Sequence, residues 1–146
     1  MTSLLVSPAS RYEASDLPDL GSSDTRRRLT PAAVRGVLRL SEQWDLTADE
    51  VTRLLGDISH STWFSWKSGK LPADLGTDRL MRISLLLGIF TALRAQHTRA
   101  LADRWVKLPN KNMLFGGGAP IEFMTHGGIP ALVAVRALLD GRRGGL

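Results

Sequence analysis

Residues 77–95, TDRLMRISLLLGIFTALRA, contain the densest apolar run of the chain and decide its fold. The apolar side chains recur at helical spacing, at Leu80, Ile83, Leu86, Leu87, Phe90 and Leu93, with Leu85 and Ile89 on a further face. A helix that is apolar nearly all round must be covered from several directions. The densest apolar run itself, Ile83 to Phe90, is far shorter than the roughly 20 residues that a membrane span requires. The pattern therefore predicts a central core helix. A homodimer interface through Leu85 and Ile89 is a second interpretation, and the two are compatible.

Upstream of this central helix, the sequence predicts a bundle of three shorter helices. The first begins at Thr30-Pro31, where the threonine caps free backbone amides and the proline supplies a preset backbone angle, and it continues to about residue 44. The second opens with a capping box, in which Thr47 and Glu50 satisfy each other's backbone amides, and Gly56 closes it. The apolar side chains that the first helix turns inward are Val34, Val37, Leu38 and Leu40.

The second and third helices match the helix-turn-helix pattern of a DNA-binding domain. Ser59 caps the third helix, and the local sequence of residues 55–69, LGDISHSTWFSWKSG, resembles the Xre and phage-repressor class. In that motif the side chains that point into the core are Ile58, Trp63 and Trp66. The candidate DNA-contacting side chains face outward: His60, Ser61, Thr62, Phe64 and Ser65 toward base edges, with Lys67 and Lys70 near phosphates. No arginine lies on this surface, so we expect one copy to bind DNA weakly; a purely structural three-helix core is the alternative.

The first 29 residues differ in composition from the rest of the chain. They are rich in serine, aspartate and proline and show no apolar period, so we expect a mostly unstructured arm. Arg26-Arg27-Arg28 forms a basic cluster just before the first predicted helix. This cluster is either a solvated linker or an arm that contacts phosphates.

Composition sets the broad class of the protein. The chain has 146 residues, 43% of them hydrophobic, which is enough for a buried core, and it contains no cysteine. The absence of cysteine excludes a disulfide framework and suits a reducing compartment. Leu4-Leu5-Val6 is broken at once by Ser7-Pro8, so we predict no signal peptide and a cytoplasmic protein. The net charge is +5, and the basic excess lies in residues 99–146, which hold seven basic and three acidic side chains.

The last third of the chain predicts two short helices that require a surface to pack against. Pro120 occupies a first helical position, and about two turns follow before Gly127-Gly128 ends them in a left-handed cap. Pro130 starts a second short helix, which ends at Gly141. Helices below roughly 12 residues are marginal alone, so these two hold only by docking on a preceding helix or on a partner. The helix ahead of them is expected to extend the core with Leu101, Ala102 and Trp105.

A family resemblance rests on this last third. The residues that carry it are Phe115-Gly116-Gly117, Pro120, Gly127-Gly128, Val135-Arg136, Leu139 and Arg142-Arg143-Gly144-Gly145. Over about residues 99–146 the chain resembles the toxin-binding domain of bacterial antitoxins of the Xre/MbcA/ParS type, and the helix-turn-helix fits the same architecture. It departs from the family pattern at Gly118, where a polar or basic residue is commoner, and at residues 111–114, which lengthen the loop. The resemblance implies a RES-domain toxin as partner, an enzyme that attacks NAD by hydrolysis, phosphorolysis or ADP-ribosyl transfer.

The predicted organisation is all-α. An arm (residues 1–29) precedes an Xre-like helix-turn-helix domain (30–96), which the long central helix joins to a small toxin-binding module (97–146). The residues of that module expected to contact the toxin are Ile121, Met124, Leu132, Arg136, Leu139, Arg142 and Arg143, with Leu138 as an alternative to Leu139.

The expected mechanism is steric and electrostatic inhibition. The short helices present apolar side chains, and Gly141 frees the chain to leave the helix. An arginine of the Arg142-Arg143 pair then meets a carboxylate in the pocket of a NAD-consuming enzyme and excludes the dinucleotide. Two alternatives remain open: Arg142-Arg143 is a solvated tail, or residues 1–29 thread into the cleft instead.

The sequence predicts no catalytic, metal or cofactor site. His60, His97 and His126 lie far apart and lack second ligands at metal spacing, and the last two are expected at the surface. Gly116-Gly117-Gly118 is followed by no Gly-Lys-Ser/Thr, so it predicts a cap and turn in place of a nucleotide site. We therefore predict an antitoxin that blocks its toxin, forms a homodimer, and regulates its own operon when the assembled complex binds operator DNA. The alternative is a stand-alone repressor whose C-terminal module mediates dimerisation.

Overall fold

A computed structural model describes residues 18–143, and over that range the all-α prediction is confirmed. The described part contains six α-helices and no strand. They are α1 (Ser23–Gln43), α2 (Ala48–Leu54), α3 (His60–Lys67), α4 (Thr77–Gln96), α5 (Arg99–Arg104) and α6 (Pro120–Arg143). Two single turns of 3-10 helix, Trp105–Lys107 and Met113–Phe115, lie between α5 and α6.

The first helix begins eight positions before the predicted start at Thr30-Pro31, so that prediction is wrong, as is an unstructured chain over residues 23–29. Ser22 is the N-cap, because its Oγ accepts a hydrogen bond from the backbone N–H of Thr25 at 3.4 Å, and Asp24 lies in the first turn where its charge favours the helix. Thr30 is fully buried inside the helix; its hydroxyl donates to the carbonyl of Arg26 at 2.7 Å. The same hydroxyl accepts from the backbone N–H of Leu75 at 3.2 Å, which ties α1 to the segment before α4.

Local capping signals place α2 and α3 where the sequence predicts them. The Thr47 hydroxyl accepts from the Glu50 backbone and the Glu50 carboxylate accepts from the Thr47 backbone, at 3.1 and 2.9 Å, which confirms the capping box. Gly56 follows α2 with φ at +84°. Ser59 caps α3 by accepting from the Thr62 backbone N–H at 3.0 Å. In each of these caps the two partners are three residues apart, so the cap can be predicted from the local sequence.

The helix α4 is the central core helix that its apolar pattern predicts. It packs against α1, α5 and α6, and its buried side chains are Leu80, Ile83, Leu86, Ile89, Ala92 and Leu93. Ile89 has no exposed surface in a single chain, so it has no surface to offer at a homodimer interface. The predicted dimer interface through Leu85 and Ile89 is therefore wrong for Ile89, while Leu85 remains half-buried.

The last element, α6, consists of two helical segments that meet at a kink at Gly128, which confirms the predicted break between two helices at the Gly127-Gly128 pair. α6 begins at Pro120 as predicted and bends at Gly128, where φ is +64° and ψ is −155°, a backbone region open essentially to glycine alone. Gly127 keeps a negative φ, so only Gly128 takes the positive value expected of both. The helix continues past Gly141 to Arg143, and the prediction of an end at Gly141 is wrong. One helical glycine costs about 1 kcal/mol, which the packing of the preceding turns outweighs.

The buried apolar side chains of α1 to α6 form one connected cluster, from Val34 near the start of the fold to Leu139 near its end. Ala102 and Trp105 belong to this cluster as predicted, whereas Leu101 is 38% exposed and does not. The helix α6 also packs against α2, so the last helix contacts the N-terminal half of the fold directly.

Candidate functional site

The exposed side of α3 carries the side chains predicted to face outward. Those exposed are His60, Ser61, Thr62, Phe64, Lys67 and Lys70, whereas Ser65 is half-buried and Ile58, Trp63 and Trp66 lie in the core. The Nζ atom of Lys67 lies 5.5 Å from the centre of the Phe64 ring, which holds a positive charge against an exposed aromatic face. Nε2 of His60 lies 2.8 Å from a carboxylate oxygen of Asp49 on α2, and the Thr62 hydroxyl accepts from the Ser59 hydroxyl at 2.9 Å, so both side chains already have partners within the fold.

In the arginine cluster at the start of α1, Arg26 makes contacts within the fold, whereas Arg27 and Arg28 are exposed. Nε of Arg26 lies 3.1 Å from both carboxylate oxygens of Asp74, and its Nη1 donates to the Leu20 carbonyl at 2.9 Å. Arg26 thus holds the segment before α4 against α1. Arg27 and Arg28 are exposed.

The apolar residues predicted to contact a toxin lie in the core. Ile121 is 6% exposed, Met124 1%, and Leu132 and Leu139 have no exposed surface, so the prediction that α6 presents these side chains is wrong. The apolar face of α6 that contains these residues packs against α4. The sequence predicted docking either on a preceding helix or on a partner, and the structure shows docking on a preceding helix. Leu138 is half-buried at the edge of the same cluster.

The surface that α6 leaves accessible is mixed, with Val133 exposed beside the charged pair Arg136 and Asp140. The Arg136 guanidinium lies across the backbone of α4, so close to Gly88 that a methyl group there would fall 1.9 Å from Nη1. Its Nε lies 3.0 Å from a carboxylate oxygen of Asp140, one turn further along, and the side chain stays 33% exposed. Arg142 and Arg143 continue the helical backbone, and their side chains lie outside the described part of the chain. Sequence reasoning missed Gly88, although a glycine inside a strongly apolar helix is a signal of close approach.

The loop between α5 and α6 contains an exposed apolar residue that the sequence reasoning did not single out. Met113 is 95% exposed, while Phe115, two positions later, is buried edge-on against Trp105 and Phe123 at ring distances of 5.9 and 5.6 Å. Gly116 ends the short helix at φ +57°, which confirms the predicted cap and turn at the glycine run.

The remaining histidines take no part in a cluster of metal ligands within residues 18–143. His126 is exposed as predicted, and its Nδ1 lies 2.7 Å from the Glu122 carbonyl. His97 is half-buried with Nε2 inaccessible to solvent, so the prediction of a surface position is wrong for it. None of the described helices is long and apolar enough to span a membrane.

Comparison with known proteins gives this helical fold its class. The C-terminal residues 95–145, which include α5, the Met113 loop and all of α6, match the sequence model of the family described as Antitoxin Xre/MbcA/ParS C-terminal toxin-binding domain. The chain belongs to this family of antitoxins. It is similar to the uncharacterized protein y4oB of Sinorhizobium fredii (strain NBRC 101917 / NGR234), with 38% identity over 127 residues that cover 85% of this chain and 92% of that protein.

Proposed function

We propose that this protein is the antitoxin of a type II toxin–antitoxin pair and that it blocks the active site of a co-encoded RES-domain toxin that consumes NAD or transfers ADP-ribose. The observation that carries the proposal is the toxin-binding family match over residues 95–145. The fold supports it, because that segment docks its apolar face on α4 and leaves the Arg136–Asp140 pair of α6 accessible at the surface. In the proposed pair the toxin is the enzyme, and this chain inhibits it without catalysis of its own.

Arginines at the end of α6 carry the proposed inhibition. Arg143 follows Arg136 by seven positions, about two turns of a regular helix, and this spacing supports a shared role for the two arginines. An arginine guanidinium pairs with a carboxylate through two parallel hydrogen bonds, and a pocket that handles a dinucleotide offers room for such a group. Because the apolar residues of α6 that were predicted to contact the toxin lie in the core, the proposed contact relies on these charges.

The test is purification of the tagged full chain from its native cells, with the intact mass of the co-eluting protein and the cellular NAD content as readouts. The double variant R142A/R143A is expected to lower affinity for the toxin by about 30-fold or more and to leave NAD unprotected. The control R35A/R39A removes the same charge from the exposed side of α1, outside the matched domain. Protection of NAD by both double variants would contradict the arginine mechanism, and deletion of residues 1–17 then tests whether the preceding chain enters the cleft.

For autoregulation, we propose that α2 and α3 act as a helix-turn-helix in which α3 is the recognition helix. The supporting observation is the exposed row on α3, which ends in Lys67, with Lys70 exposed three positions after the helix. Binding of the assembled complex to the DNA upstream of its gene is measured by fluorescence anisotropy at several salt concentrations. K67A/K70A should lower the slope of log affinity against log salt by about 2, because each lysine releases about one counterion. The control R35A/R39A, on α1 and outside the toxin-binding domain, should leave the slope unchanged. Free chain that binds the site as well as the complex does would favour the stand-alone repressor.

We also propose a homodimer, through a face that differs from the one predicted. A shallow apolar groove of about 490 Å³ is lined by Met81, Leu85 and Val133 together with Leu20. Met81 is 40% exposed and Val133 49%, so an apolar strip from α4 and α6 stays open to solvent. The variant M81E should convert a dimer to a monomer in light scattering after gel filtration, and an unchanged mass would exclude this face.

A further inference from the structure

We propose that the loop around Met113 is a preformed anchor that inserts its methionine side chain into an apolar pocket of the toxin. The inference rests on the proposed antitoxin function and names a contact surface for it. Met113 is 95% exposed, more than the other exposed large apolar side chains of the described chain, of which Phe64 at 52% is next. A methionine exposed to this extent gains nothing within the fold, whereas burial against a partner removes its whole apolar surface from water.

The backbone under Met113 is fixed by a ladder of side-chain hydrogen bonds. The Asn110 side chain accepts from the Asn112 backbone N–H, and the Asn112 side chain accepts from the Leu114 backbone N–H, each at 2.9 Å. The ends of the loop are joined by the Asn110 N–H, which donates to the Gly118 carbonyl at 3.0 Å. A loop held in this way loses little conformational entropy when it binds, which is the requirement for an efficient anchor.

The aromatic packing below the loop points Met113 away from the core. Phe115 lies between Trp105 and Phe123 and pins the short helix Met113–Phe115 by its last residue. Gly116 and Gly117, both exposed, follow at φ +57° and +89°. Because these two glycines have no side chain, a partner surface can approach the backbone beside Met113 closely.

The charge around the loop defines the chemistry of the pocket that would accept it. Between Asp103 and Glu122 the chain contains Arg104, Lys107 and Lys111 and no acidic residue. Lys107 is engaged with Glu50 at 3.4 Å, whereas Arg104 and Lys111 are exposed. The complementary surface is an apolar pocket for an unbranched thioether with carboxylates at its rim. Met113 lies inside the segment matched to the toxin-binding domain, which assigns that surface to the toxin.

Methionine oxidation tests this contact in the complex as it is isolated from cells. Dilute hydrogen peroxide converts exposed methionine to the sulfoxide, and peptide mass spectrometry gives the rate at each position. In the free chain we expect Met113 to react fastest, Met81, at 40% exposure, more slowly, and Met124, at 1%, least. In the complex we expect Met113 to be protected while Met81 keeps its free-chain rate.

The outcomes separate this inference from the function on which it rests. A complex in which Met113 oxidises at its free-chain rate would overturn the anchor and leave the antitoxin function standing. Failure of any NAD-consuming enzyme to co-elute would remove the antitoxin function and the anchor together. If Met113 in the free chain becomes more protected from oxidation as the protein concentration rises, then a second copy of the chain covers it. That result would overturn the toxin contact.

The affinity of the toxin for the variant M113A and for a control variant, L71A, tests the same contact. M113A should weaken toxin binding by about 10- to 100-fold, the range expected when a buried methionine is truncated, and should leave the unfolding midpoint unchanged. The control L71A truncates an apolar side chain that is 39% exposed in the segment between α3 and α4, and it should not change affinity. Equal affinities for M113A and the wild type would overturn the proposal.

Discussion

Replacement of Gly88 by alanine separates the stability of the fold from the position of Arg136. The added methyl group would lie 1.9 Å from Nη1, 2.9 Å from Cζ and 3.4 Å from Nε of Arg136. Contacts this short force a movement, and what moves is the end of a flexible side chain that is 33% exposed. We therefore expect the helix to keep its place and the guanidinium to leave α4.

The two contributions to stability have opposite signs. Alanine in place of glycine inside a helix adds about 0.8–1.0 kcal/mol to the free energy of unfolding. Disturbing the exposed pair between Arg136 and Asp140, four positions apart, costs about 0.3–0.5 kcal/mol. The net expectation for G88A is a gain of about 0.5 kcal/mol, or roughly 1–2 °C in Tm for a chain of this size.

A double-mutant cycle in urea checks this reasoning. In the R136A background nothing is displaced, so G88A should add its full helical gain of about 1 kcal/mol. A loss of more than about 1 kcal/mol in G88A, or an equal effect in both backgrounds, would refute the placement of the guanidinium over Gly88. Toxin affinity is the second readout: G88A should weaken binding as R136A does, without loss of stability, because both remove the same contact.

Three further changes test the core and one charged contact. G128A should destabilise the fold by about 1–3 kcal/mol in urea unfolding, because a φ of +64° with ψ of −155° strains any residue with a Cβ, and an unchanged midpoint would contradict the bend. L132A should cost about 2–5 kcal/mol for the cavity it leaves, whereas a loss of toxin affinity at unchanged stability would return Leu132 to the contact surface. The Gly76 backbone N–H, with Arg26 acting in the same direction, lowers the pKa of Asp74 from its usual 3.8. Because the folded pKa lies below the unfolded one, this stabilisation is present above about pH 4 and is lost at lower pH. The difference in urea midpoint between wild type and D74N should therefore be largest near about pH 6 and should shrink as the pH is lowered through the depressed pKa of Asp74, and a difference that does not change with pH would contradict the assignment.

The sequence predicted correctly those helix ends that depend on interactions between residues a few positions apart. The Thr47–Glu50 capping box, the Ser59 cap and the start of α6 at Pro120 all follow from a side chain and the backbone beside it. The start at Thr30 failed for the same kind of reason, because a threonine hydroxyl that caps one helix can equally bond to a carbonyl inside another. Only the position of Leu75, 45 residues away, decides between these roles.

The candidate site was harder to predict because periodicity identifies an apolar face without identifying what covers it. Met124 and Leu132 lie on the apolar side of α6, as predicted, yet α4 covers that side and leaves no surface for a toxin. The second interpretation of α4, a dimer face that includes Ile89, rested on the same reasoning, and Ile89 is covered within one chain. Met113 shows the converse: its loop gives no periodic signal, so its exposure depends on tertiary contacts of Phe115 that the sequence does not reveal.

The single connected core makes the two ends of the molecule one cooperative unit of unfolding. The helix α6 covers α4 and touches α2, so loss of α6 strips the cover from side chains that also support α1 and α3. A partner that binds only the C-terminal half therefore raises the free energy of unfolding of the whole chain, by about 2.7 kcal/mol when it is present at 100 times its Kd. By the same linkage, the population of globally unfolded molecules, in which α3 is open as well, falls about 100-fold when the partner is bound at the other end.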